Sequence, residues 1–186
     1  MRLYVIIFLF FSPFLFIEQY FKGVENEKYI SQINSIPTIN SIDTVEIYDI
    51  NDDVGLYIAN YLIDNGFSLE NASAISGNIM VESKGNPLAV GDNGQSFGLS
   101  QWRDSRFADL KGFTNGDWKS VDKQLSFLIH ELKGKEKRAY KKLKETMGLN
   151  KSVIVFCDYY HRPSIPHIER RIRKANEIYK VLITRL

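Results

Sequence analysis

Two carboxyl groups, those of Glu82 and Asp92, have the positions in this sequence that best suit acid–base chemistry. Glu82 follows Ile75 and Ile79 at helical spacing, so we expect its carboxyl on the apolar face of a helix, in the last turn. Partial burial and the negative end of the helix dipole both favour the neutral acid, which can donate a proton near neutral pH. A lone glutamate at such a position more often turns outward into solvent. The residues around Glu82 must therefore show whether it is a catalytic acid.

Asp92 lies in the turn of a predicted hairpin just downstream of that helix. Asn93-Gly94 between apolar runs is the strongest short hairpin signal that a sequence offers. A carboxyl at a helix end that faces a second, solvated carboxyl forms a groove with one neutral and one ionised acid. Glycoside hydrolysis requires this division of roles. Aspartate is also an ordinary turn residue, so a purely conformational role for Asp92 stays open.

The elements that must position these groups are mainly helices. Asn51-Asp52-Asp53 predicts the start of one helix, and Ser68 predicts the cap of the next helix, which carries Glu82. Gly85 and Pro87 mark the end of that second helix. Further helical patterns follow the hairpin at about 104–112, 119–133, 135–146, 151–160 and 166–184. The sequence therefore predicts an α+β domain, mostly helical, with one small β-hairpin beside the helix of Glu82.

Several short motifs occur in the order and spacing of a known enzyme family. They are Glu82-Ser83, Asn86-Pro87, Ala89-Val90-Gly91-Asp92, Gly98-Leu99-Ser100-Gln101-Trp102 and Tyr160-His161-Arg162-Pro163. Over about residues 54–184 the chain resembles the phage-tail lysozyme-like domains of the lysozyme superfamily, which are related to goose-type lysozymes and lytic transglycosylases. This family often has glutamate where the present chain has His161.

The resemblance implies a lysozyme-like fold and a function. The implied enzyme is a muramidase that hydrolyses the β-1,4 bond between MurNAc and GlcNAc of peptidoglycan, with Glu82 as general acid. Asp92 would then hold a water molecule or stabilise positive charge on the sugar. Two alternatives stay open: a lytic transglycosylase that forms 1,6-anhydro products, and a wall-binding module without catalysis.

Candidate contacts to the glycan are Ser96, Gln101, Trp102 and Tyr160. The resemblance implies a sugar contact for Gln101 and for a tyrosine of the late helix, which is either Tyr159 or Tyr160. Each has a structural alternative, because a serine suits a strand and the two aromatic side chains suit a core. Strict strand alternation puts Gln101 on the core side together with Phe97. The strand must therefore twist or end before Gln101 if its amide is to reach the groove.

Other chemistries have little support in the sequence. Apolar residues form 44% and charged residues 25% of the chain, which is a globular composition. The single cysteine, Cys157, excludes an internal disulfide framework, and its place in an apolar helical pattern is typical of a buried thiol. His161 and His167 lack the spacing of a metal-ligand pair. We therefore expect neither a metal ion nor another cofactor.

Residues 1–22 are predicted to be a signal peptide or membrane anchor. Arg2 precedes an uncharged apolar run from Leu3 to Ile17, which is the layout of a secretory signal and is short for a spanning helix. Residues 23–50 are predicted to be a tether, and residues 51–186 the lysozyme-like catalytic domain. We therefore expect an exported protein that is membrane-anchored, periplasmic or extracellular.

Charge is distributed unevenly along the chain. The formal net charge is +2, yet residues 133–186 contain 15 basic and 5 acidic side chains. On an exported protein, such a surface favours an anionic wall polymer or a membrane surface over nucleic acid as a partner. The principal expected partner is the peptidoglycan glycan strand, and the protein is expected to be a monomer.

Overall fold

A computed structural model of the chain describes residues 53–185. The predicted signal or anchor at residues 1–22 and the predicted tether at residues 23–50 lie outside this range, so both stay predictions. No helix within residues 53–185 is both long and apolar enough to cross a membrane.

The described part of the chain is mainly helical and has one small antiparallel sheet, which confirms the predicted α+β class. Its elements in chain order are α1 (Asp53–Asp64), α2 (Leu69–Ser83), β1 (Val90–Gly91), β2 (Ser96–Phe97), β3 (Trp102–Arg103), α3 (Asp104–Phe113), α4 (Val121–Lys133), α5 (Lys137–Glu145), α6 (Leu149–Phe156), a π-helical turn (Cys157–His161) and α7 (Ile168–Ile183). Each predicted helical pattern corresponds to one of these helices, with ends that differ by a few residues.

Helix α2 packs against α1, α6 and α7 and is buried along most of its length. Ser68 caps it as predicted, because its side chain accepts a hydrogen bond from the backbone N–H of Asn71. The predicted apolar stripe underestimates the burial of α2. Polar side chains on its other faces are buried as well, namely Ser73, Ser76 and Asn78.

A glycine allows α2 and α7 to approach closely. A Cβ atom at Gly77 would lie 2.5 Å from the backbone nitrogen of Ala175. Since no real Cβ atom approaches backbone so closely, a larger residue at position 77 would push the two helices apart. This contact sets α7 directly against the C-terminal half of α2, where Glu82 lies.

The sheet has three strands, whereas the sequence predicts a single hairpin. Strand β1 pairs with β2 through Gly91 opposite Ser96, and the turn between them has left-handed backbone at Asp92 and Asn93. Strand β3 then pairs with β2, with Trp102 opposite Phe97. The sequence does not predict β3, because a strand of two residues contains no readable alternation and no Asn-Gly turn of the kind between β1 and β2 precedes it.

Helix α6 continues directly into the π-helical turn. The backbone N–H of Arg162 donates to the carbonyl of Cys157 at 2.7 Å, which is the i to i+5 spacing of a π-helix. Arg162 then leaves the helix in the left-handed conformation. This widened turn brings His161 to the end of α2.

Candidate active site

Glu82 lies in the last turn of α2, and 17% of its side-chain surface is exposed. Its Oε1 accepts a hydrogen bond from Nη2 of Arg171 at 2.7 Å. The Nδ1 atom of His161 lies 3.7 Å from the same oxygen. The carboxyl is therefore half-buried, as the apolar stripe predicts, but the neighbouring cation and imidazole were not predicted.

The signal that could have revealed Arg171 is its position on α7. Arg171 falls on the helix face that also carries the buried residues Ile168, Ile172 and Ala175. A charged side chain on such a face needs a partner inside the protein. Helical periodicity does not identify that partner, which is Glu82, 89 residues before Arg171.

The structure brings Asp92 together with Ser96 and Arg103 on the hairpin. The Asp92 side chain is 58% exposed, accepts a hydrogen bond from Oγ of Ser96, and lies 3.4 Å from Nη1 of Arg103. Ser96 is itself buried. These contacts stabilise the turn, which is the conformational role that the sequence left open. A catalytic role for Asp92 and a glycan contact for Ser96 stay predictions.

Gln101 lies beyond the end of β2, in the left-handed conformation with φ 51°. The strand therefore does end before Gln101, as a groove position requires. The half-buried amide binds the backbone, since its Nε2 donates to the carbonyl of Gly98 at 2.9 Å. Its Oε1 occupies the space where a side chain at Gly91 would begin, because a Cβ there would lie 2.2 Å away. Gln101 thus ties β1 to the segment after β2, and its contact with a sugar stays a prediction.

Trp102 and Tyr160 are core residues, and both side chains are 0% exposed. Their polar atoms meet at the buried carboxylate of Glu131, which accepts from Nε1 of Trp102 at 2.7 Å and from the hydroxyl of Tyr160 at 2.6 Å. Burial, with the charge of Glu131, raises the pKa of Tyr160 well above its usual range, so the phenol stays protonated. The proposed glycan contacts of these two residues are therefore corrected to packing roles.

Gln124 of α4 is a positioning residue that sequence reasoning missed. Its buried Oε1 accepts from the backbone N–H of Leu99 at 2.7 Å, and its Nε2 donates to the carbonyls of Pro87 at 2.7 Å and Trp118 at 2.8 Å. The amide joins the segment after α2 to the segment after β2, which both belong to the motifs described above. Gly98 is needed beside it, because a Cβ there would lie 2.5 Å from Oε1 of Gln124.

Cys157 does not provide a nucleophile. Burial raises the pKa of its thiol to about 12, so the thiol stays protonated at neutral pH. This agrees with the expectation of a buried structural cysteine.

Residues 53–182 match the family described as phage tail lysozyme. The match covers more than half of the chain and includes Glu82, the sheet and the π-helical turn. The chain belongs to the phage tail lysozyme family. This membership confirms the resemblance seen in the motifs.

A curated relative of this phage tail lysozyme domain is morphogenesis protein 1 of Bacillus phage B103. The two are 28% identical over 142 residues, which correspond to 68% of this chain and 38% of the relative. The chain therefore spans well under half of the length of that protein.

Proposed function

We propose that this domain is a muramidase, which hydrolyses the β-1,4 bond between MurNAc and GlcNAc with Glu82 as general acid. The observation that carries the proposal is the half-buried carboxyl at the end of α2, located within the Glu-Ser motif of the family. Among the described residues, Oε1 is held by Arg171, while no hydrogen bond or ion pair engages Oε2. Within residues 53–185, one oxygen is thus fixed and the other has no partner, which suits it to a ligand.

The chemistry requires a proton on the leaving oxygen as the glycosidic bond breaks. A carboxylic acid at position 82 delivers that proton, and positive charge develops on the remaining sugar. In hydrolysis, a water molecule then attacks this sugar, and Asp92 is the proposed residue that orients the water. In the transglycosylase alternative, the 6-hydroxyl of MurNAc attacks C1 of the same sugar, so no second carboxylate is needed to orient water.

The products from purified peptidoglycan test this proposal. Mass spectrometry of soluble muropeptides released by the full chain is expected to show reducing ends. Products with 1,6-anhydro ends would replace the hydrolytic mechanism by the transglycosylase alternative. Binding to peptidoglycan without any release would instead support the wall-binding module.

Replacing Asp92 by asparagine is expected to slow turnover about 10²–10⁴-fold, the range typical of one acid–base group. The amide keeps the shape of the side chain and its contact with Ser96, but it loses the negative charge that would orient water. The measurement is the rate of muropeptide release at saturating peptidoglycan.

A matched control for this substitution is Asp117→Asn. Asp117 is also an exposed aspartate paired with a cation, in this case Lys123. We expect its replacement to leave turnover unchanged. Equal, near-normal rates for both variants would reduce Asp92 to a turn residue and favour the transglycosylase alternative.

The location and the additional partners of the domain are part of the same proposal. An enzyme that acts on peptidoglycan works outside the cytoplasm, so we propose that the protein is exported. Exposed basic side chains on and beside α5 suit an anionic wall polymer as an auxiliary partner, namely Lys133, Lys137, Arg138, Lys141 and Lys144. The domain is proposed to act as a monomer.

A further inference from the structure

We infer that Arg171 is a positioning residue for the reaction: it holds Oε1 of Glu82 and thereby assigns the catalytic proton to Oε2. The inference rests on the proposed function, in which Glu82 is the general acid. Its direct basis is the 2.7 Å hydrogen bond from Nη2 of Arg171 to Oε1. Because Oε1 accepts this hydrogen bond, the proton of the neutral acid belongs on Oε2, which can then donate it to a ligand.

Arg171 is itself held in place by three other groups. Only 2% of its side chain is exposed. Its Nε donates to the carbonyl of Pro166 at 2.6 Å, and its Nη1 donates to Oδ1 of Asn78 at 3.0 Å. Nη1 also lies 3.4 Å from Nδ1 of His161. A planar guanidinium fixed at several of its nitrogens is a rigid support, which a flexible surface arginine is not.

Asn78 links this support to the helix that carries the acid. Asn78 and Glu82 are four residues apart on α2, so both face the same side of the helix. The Nδ2 atom of Asn78 donates to the carbonyl of Val153 at 3.2 Å, which fixes the amide. The guanidinium of Arg171 therefore spans one turn of α2, from Asn78 to Glu82.

The close approach of α2 and α7 makes this arrangement possible. Arg171 lies one turn before Ala175, whose backbone touches Gly77. At this short separation the arginine reaches α2 with its head group rather than pointing to solvent. Gly77 therefore contributes to the positioning of Arg171, because the absence of a side chain at this residue permits the close approach of the two helices.

The charge that faces Glu82 comes from Arg171. Burial lowers the pKa of His161 well below its usual range, and the charge of Arg171 lowers it further, so this imidazole is neutral. Burial likewise keeps the thiol of Cys157, which also lies near Glu82, protonated. Lys84, which lies two residues after Glu82, is exposed, so water screens its charge.

One measurable effect follows from this geometry. Fixing Oε1 raises turnover by orientation, since a misplaced catalytic group costs up to about 10²-fold in rate. Removing the guanidinium is therefore expected to lower kcat and to leave KM nearly unchanged.

The test compares Arg171→Met, Arg171→Lys and the control Arg170→Met in the full chain. Arg170 is the exposed neighbour of Arg171. For Arg171→Met we expect kcat to fall at least about tenfold, with KM within about twofold. For Arg171→Lys we expect a similar loss of kcat, because an ammonium keeps the charge but not the fixed planar geometry of the guanidinium.

Folding is followed on the same samples by circular dichroism, because Arg171 is buried. A folded Arg171→Met protein with wild-type kcat overturns the inference, and so does a loss of activity that appears in KM with kcat unchanged. If this variant does not fold, Arg171→Lys decides, and a wild-type kcat for it overturns the inference as well. A Glu82→Gln protein that still releases muropeptides would refute the proposed function itself, so the two failures are distinguishable.

Discussion

Replacing Glu82 by glutamine is expected to lower the cleavage of glycan strands by at least about 10²-fold while binding to intact peptidoglycan is retained. An amide has nearly the size of the acid, but it cannot deliver a proton to the glycosidic oxygen. Muropeptide release and sacculus pull-down on one preparation measure the two properties. Wild-type release from a folded variant would contradict the mechanism.

The structure adds an expected cost in stability for the same substitution. From the sequence alone, an isosteric change at a half-buried position predicts an unchanged thermal midpoint. Glu82 is, however, the ion-pair partner of the buried Arg171. Loss of a hydrogen bond between charged groups costs about 1.5–3 kcal/mol, so we expect the midpoint to fall by several degrees. Activity is therefore compared well below both midpoints.

Glu70→Gln is the matched control for Glu82→Gln. Glu70 lies in the first turn of the same helix and, like Glu82, is half-buried. The substitution removes one carboxylate from α2 without touching the end that carries the motif. We expect wild-type muropeptide release from Glu70→Gln, and a comparable loss in both variants would point to a general effect on α2.

Replacing Glu131 by glutamine is expected to destabilise the domain by about 3–5 kcal/mol, the usual cost of removing one partner of a buried ion pair. Glu131 is buried, and both of its oxygens bind the guanidinium of Arg106, at 2.8 Å and 2.9 Å. It also accepts the hydrogen bonds of Trp102 and Tyr160. An amide accepts with only one oxygen and leaves Arg106 with the more distant Glu136, at 4.0 Å, as its remaining counter-ion.

Thermal and urea unfolding measure this loss, and Glu136→Gln provides the comparison. Glu136 also binds an arginine with both oxygens, at 2.8 Å each, but its partner Arg162 is half exposed. A partly solvated pair of this kind contributes about 1 kcal/mol or less. We expect the midpoint of Glu131→Gln to fall by about 10 °C or more, well beyond that of Glu136→Gln. Equal shifts would show that the Glu131 cluster is not central to stability.

The sequence by itself determined the local features of this domain. Ser68 identified the start of α2, because a side-chain cap acts over three residues. Asp92, Asn93 and Gly94 identified the hairpin turn, because left-handed backbone favours these residue types. The stripe of Ile75 and Ile79 placed Glu82 on a half-buried helix face. In each case the information lies within one turn or one hairpin.

Only the tertiary structure decided what surrounds these features. Arg171 meets Glu82, and Gln124 meets Leu99 and Pro87, across separations that no periodic pattern encodes. Trp102 ends the motif that begins at Gly98, yet its side chain is buried in the core, because β3 pairs with β2 and the indole N–H donates to the buried carboxylate of Glu131. Such partners are chosen by close packing and by the need to satisfy every buried polar group, and both depend on the whole fold rather than on the neighbouring residues.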